Sequence, residues 1–116
     1  NVNAVAIDEP DQPQRLVPDG PTAYQSRLPL GQWADQLRRI GIPAHVSYHA
    51  GTFLCNATLY LTHYLCEKHG WPARAAFVHL PLAVSQAVRS DGGHLPSLPS
   101  TTAADAIRLI LTQLTD

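Results

Sequence analysis

The sequence predicts an α/β chain with a mostly parallel sheet, and three observations lead there. Two short, apolar, β-compatible segments, 42–47 and 73–80, flank a helix-length stretch from 54 to 68 that contains neither Pro nor Gly. Further helical periodicity stands before the first segment and near the end of the chain. Strands alternating with helices imply a parallel sheet with helices packed on its faces. Only two strands read clearly, so the sheet is expected to be incomplete, part of a larger three-layer α/β/α sandwich. The 116 residues are expected to form a single domain.

Taken in order, residues 1–7 read as the end of a strand. Residues 8–21 (DEPDQPQRLVPDGP) read as a loop, because Pro, Asp and Gln favour turns over ladders. Residues 24–29 carry no clear periodicity. From 30 to 40, Leu30, Trp33, Ala34, Leu37 and Ile40 recur at helical spacing, with Gly41 placed to cap the end. The strand 42–47 follows, then the helix 54–68 with Leu54, Ala57, Thr58, Leu61 and Leu65 as its expected buried face. Gly70 and Pro72 end that helix. After the strand 73–80, residues 82–88 suggest a short helical turn and 90–100 a loop. A last helix is expected over 101–114, burying Ala104, Ile107, Leu111 and Leu114, with Thr102 and Asp105 as a capping box.

A formal net charge of −1, with both signs scattered, offers no basic stripe for nucleic acid. No apolar run reaches membrane-spanning length, and the first residues do not open a signal peptide. A cytoplasmic location is the expectation. The two cysteines, Cys55 and Cys66, lie eleven residues apart on one expected helix. At about 1.5 Å per residue they stand roughly 16 Å apart, beyond disulfide reach. Two free thiols in a reducing compartment is the simplest reading. Neither a CxxC nor a His/Cys ligand cluster is present, so no metal and no cofactor is expected.

The chemistry gathers around 47–56 (SYHAGTFLCN). Gly51 allows a tight turn between strand and helix, and Cys55 falls in the first helical turn. A helix start favours an anion, so a thiol there is a candidate nucleophile. His79 falls at the C-terminal end of the second strand. Sites in parallel sheets form at that edge, and a Cys/His couple is the minimum for thiol catalysis. A Cys in an apolar helix is more often a small buried hydrophobe, the reading that suits Cys66. His49 is the rival base, but it belongs to the same turn as the nucleophile, which is poor geometry for proton transfer.

SYHAGTFLCN, followed after one helix by AAFVHLP at 75–81, resembles the two signature segments of the pyroglutamyl peptidase I (pyrrolidone-carboxylate peptidase) family. VPDGPTAY at 17–24, Leu28–Pro29, GIPAHVS at 41–47 and PSL at 96–98 extend the likeness over nearly the whole chain. The resemblance implies a cysteine peptidase that removes an N-terminal pyroglutamyl residue from peptides, without metal or cofactor, inside cells, in a family whose members are often homo-oligomers. It makes Cys55 the nucleophile and His79 the general base and acid. The Cys55 backbone N–H would help hold the oxyanion, and Phe53 and Ile7 would line the pocket for the pyrrolidone ring. Neither nucleic acid nor membrane is an expected partner. The same resemblance places the family's catalytic Glu ahead of Asn1. Ala6, Ala57 and residues 83–85 depart from the family pattern. The competing reading is a truncated or degenerate, non-catalytic module of the same fold; a different thiol hydrolase on this scaffold is a third.

Overall fold

The computed structural model describes residues 1–4, 13–89 and 95–114. They gather into two compact units, Asn1–Leu28 with Ser47–Phe77, and Pro29–Val46 with Val78–Asp116.

In the first unit, strand β1 (Val2–Ala4) pairs antiparallel with β2 (Pro13–Arg15), Val2 opposite Arg15 and Ala4 opposite Pro13. β1 lies within the strand end expected at 1–7. β2 was expected as loop. Its Pro opens the strand, a position where a missing N–H costs the ladder least. Helix α2 (Leu54–Lys68) follows the turn at Gly51, whose φ of 79° is a left-handed conformation that favours glycine. α2 ends in a Schellman motif: Gly70 has φ 64°, its N–H donates to Glu67 O (3.1 Å), and Trp71 N–H donates to Cys66 O (2.9 Å).

The face that α2 buries is not the expected one. Leu54 is 81% exposed and Leu65 42%, whereas Tyr60 is 4% exposed. Tyr60 is buried because its ring packs on Tyr24, with centroids 5.1 Å apart, while its hydroxyl donates to Pro21 O (2.7 Å). Polar anchoring to the 17–24 loop thus sets the helix rotation, and the leucine stripe is left outside.

In the second unit, helix α1 (Leu30–Arg39) buries Trp33, Ala34 and Leu37 as its periodicity predicts, while Ile40 is exposed. It too closes in a Schellman motif: Gly41 (φ 84°) donates to Arg38 O (3.0 Å) and Ile42 to Leu37 O (2.9 Å), with Ile42 buried beneath the turn. Strand β3 (Leu82–Ala83) pairs in parallel with β4 (Ser97–Leu98), and helix α3 (Val84–Arg89) follows β3 directly. Helix α4 (Ser100–Thr112) packs on α1. It buries Ala106 and Ile110 rather than the predicted stripe, and Leu111 and Leu114 stay exposed. Asp105 forms an i,i+3 pair with Arg108 (2.5 Å) instead of capping the helix.

The segments 42–47 and 73–80 form no ladder among the described residues. Strand propensity cannot supply a partner: the backbone groups of a strand need a neighbouring strand to pair with. The chain is α/β in content and connectivity, with an incomplete sheet.

Candidate active site

Cys55 is the second residue of α2, half-buried, directly after an extended Phe53 at the N-cap (φ −118°, ψ −150°). The turn before it is internally braced. Ser47 Oγ donates to His49 O (2.8 Å), and Gly51 N–H donates weakly to His49 Nδ1 (3.4 Å). An Nδ1 that accepts leaves the proton of a neutral imidazole on Nε2. His49 therefore serves the turn itself, as its sequence position suggests. Phe53, two residues before Cys55, is 41% exposed.

The next residue, Asn56, ties the helix start to the β1 strand: its Nδ2 donates to Val2 O (2.8 Å) and to Asn3 Oδ1 (3.1 Å). β1 is held in turn by the buried Asn1. Asn1 Nδ2 donates to Val17 O (2.7 Å) and Gly20 O (3.2 Å), and Asn1 Oδ1 accepts from Val17 N–H (2.9 Å). Arg15 adds a bond to Gly20 O (2.8 Å). These asparagines are positioning residues that periodicity and spacing missed. The available signal was the Val17–Pro18–Asp19–Gly20–Pro21 turn, whose carbonyls need donors somewhere in the fold.

His79 lies in the second unit, exposed, three residues before β3. The structure thus puts Cys55 and Phe53 together in one unit and His79 in the other. Ile7 lies outside the described residues, as do Asp8, Glu9 and His94. Of the remaining histidines, His69 caps α2 and stacks on Trp71 (4.9 Å), and His63 stacks on Tyr24 (5.5 Å) with Nε2 buried and unpaired among the described residues. Among those residues no group of three or more His, Cys, Asp or Glu could hold a metal ion. No described helix is long and apolar enough to cross a membrane.

The described geometry is a cysteine just inside a helix, behind a glycine turn. The sequence profile of the pyroglutamyl peptidase family matches residues 3–115. The chain belongs to that family. A pyrrolidone-carboxylate peptidase of Streptomyces coelicolor is 39% identical over 111 residues, which cover 96% of this chain and 48% of that protein. One from Vibrio parahaemolyticus is 40% identical, covering 95% and 47%. Among solved structures, the pyrrolidone carboxyl peptidase of Fervidobacterium islandicum superposes with a TM-score of 0.81 at 36% identity, covering 86% of this chain and 49% of that one. A Pyrococcus furiosus A199P variant gives 0.80 at 30% identity. The chain spans about half the length of the relatives it matches. Fold class and family membership follow from these likenesses, and both agree with the motifs at 47–56 and 75–81.

Proposed function

We propose that the protein containing this chain is a cysteine omega-peptidase that hydrolyses the N-terminal pyroglutamyl residue from peptides. On this reading the 116 residues are the C-terminal portion of one α/β domain, acting in the cytoplasm in assemblies of several copies. The observation that carries the reading is the family match over residues 3–115 together with Cys55 in the first turn of α2.

The chemistry follows from that position. Cys55 Sγ, as thiolate, attacks the pyroglutamyl carbonyl carbon while N–H groups of the helix start steady the negative oxygen. His79 takes the thiol proton and delivers it to the leaving amine, which departs as the shortened peptide. Water, deprotonated by His79, then cleaves the thioester and restores the thiol. Phe53, at the N-cap beside the nucleophile, supplies apolar wall for the ring, and Ile7 is assigned to the same pocket. The reaction needs no metal and no cofactor, and neither nucleic acid nor membrane takes part.

Release of aminomethylcoumarin from its pyroglutamyl derivative by the intact protein tests this. Activity that is lost in both Cys55→Ala and His79→Ala supports it. Activity that survives Cys55→Ala refutes the nucleophile. A wild-type protein inert toward pyroglutamyl substrates points to the non-catalytic reading, which has its own support in Ala57 and residues 83–85, where the sequence departs from the family pattern.

A further inference from the structure

A second site stands at the far end of α2. A cavity of about 430 Å³ in the first unit is lined by Tyr24, Arg27, Cys66, Glu67, Trp71 and Arg74, among others. Cys66 lies eleven residues beyond Cys55 on the same helix, about 16 Å along its axis, so this cavity is separate from the nucleophile's surroundings.

Its charges are arranged unusually. The one carboxylate in the lining, Glu67, does not pair with either arginine; its Oε2 accepts from the Tyr24 hydroxyl at 2.5 Å. Among the described residues neither Arg27 nor Arg74 has an ion-pair or hydrogen-bond partner; Arg39 is like them in this, whereas Arg15, Arg38, Arg89 and Arg108 each have at least one. Two guanidiniums thus share a concave lining with a single carboxylate that is already engaged. A guanidinium presents a planar fork of donors matched to carboxylate and phosphate oxygens. Trp71, 56% exposed and stacked on His69, adds an aromatic wall for an organic body.

We propose that this cavity binds a small anion, carboxylate or phosphate, held between Arg27 and Arg74. Cys66, half-buried in the lining, is a built-in reporter rather than part of the recognition. Bound ligand shields it from a small alkylating reagent.

In the intact protein, iodoacetamide labelling of Cys66 and Cys55 is followed by peptide mass spectrometry. Citrate and inorganic phosphate are titrated separately, with sodium chloride holding ionic strength constant. The expected result is saturable slowing of Cys66 labelling with Cys55 labelling unchanged. Protection by citrate assigns a carboxylate ligand and protection by phosphate a phosphate one. Arg27→Ala and Arg74→Ala should each raise the half-protecting concentration about tenfold or more. Both side chains are exposed, so the variants keep the fold, which circular dichroism checks. Unsaturable protection, equal slowing at both cysteines, or protection unchanged in the two variants would overturn the proposal.

Discussion

In the first unit the groups that fix the chain are polar. Asn1 is buried among three side-chain bonds to the 17–20 loop, Tyr60 is buried with its hydroxyl on Pro21, and Asn56 grips β1. In the second unit they are apolar, with Trp33, Leu37, Ile42, Ala106 and Ile110 buried on and around two helices. The difference bears on function. The neighbourhood of Cys55, the nucleophile of the proposed reaction, is specified by directional bonds among residues of this chain. The approach to His79 runs through a segment without a ladder partner among the described residues. Directional bonds fix position closely, whereas apolar burial fixes proximity and tolerates shape changes of similar volume.

That contrast can be broken or sharpened by substitution. The largest loss of stability is expected from Leu37→Ala, about 2–5 kcal/mol through a cavity in the apolar unit, read by urea unfolding of the intact protein. Leu37→Met should cost under about 1.5 kcal/mol, because apolar packing accepts a side chain of similar volume. Asn1→Ala should cost somewhat less than the cavity, about 1–3 kcal/mol, chiefly by stranding Val17 N–H, since Val17 O keeps the Gly20 N–H and Gly20 O keeps Arg15. Unlike Leu37→Met, the near-isosteric Asn1→Asp should not rescue it, since two of the three bonds need an amide donor. If Asn1→Asp is as stable as wild type, the directional half of the comparison fails.

Gly20→Ala comes next. A Cβ there would stand 2.5 Å from Tyr60 Oη and 2.9 Å from Val17 Cβ, so a loss of about 1–3 kcal/mol is expected. Adding Tyr60→Phe should return part of it by opening space; a fully additive double variant would argue that the clash lies elsewhere.

A smaller effect is pH-dependent. Burial, reinforced by the hydrogen bond to Glu67, raises the Tyr24 hydroxyl well above its ordinary value; burial raises Tyr60 as well. Their contribution is fully present below about pH 10, where the unfolded phenols are still neutral. It is lost as pH rises further, because the unfolded chain ionises while the folded one resists. Tyr24→Phe should flatten the alkaline fall in unfolding free energy, and an unchanged slope would contradict the assignment. The smallest change is expected from Arg108→Ala, since its exposed pair with Asp105 is worth under about 0.5 kcal/mol.

How legible all this was in the sequence follows the same division. Helix α1 and its glycine cap could be read directly, because apolar spacing and burial coincide there. The Gly51 turn and the helical start at Cys55 were equally plain, as local chemistry decides both. The buried face of α2 was misread: leucine periodicity pointed one way, while Tyr60 and Asn56 turn the helix toward polar anchors whose partners lie far off in sequence. The segments 42–47 and 73–80 form no ladder among the described residues for a related reason, since a ladder depends on a partner that no local pattern encodes. His79 was marked twice, by its place at the end of the expected strand 73–80 and by motif likeness, and the first of these rests on a ladder that the described residues do not form.

The central claim is that Cys55 carries the acyl group. Rapid acid quenching of the intact protein during turnover of a pyroglutamyl substrate, followed by peptide mapping, tests it most directly. The account predicts a pyroglutamyl thioester on the peptide bearing Cys55, absent in Cys55→Ala, with the acylation rate sharply reduced in His79→Ala. An acyl group found on Cys66, or one that forms at the wild-type rate without His79, would contradict it.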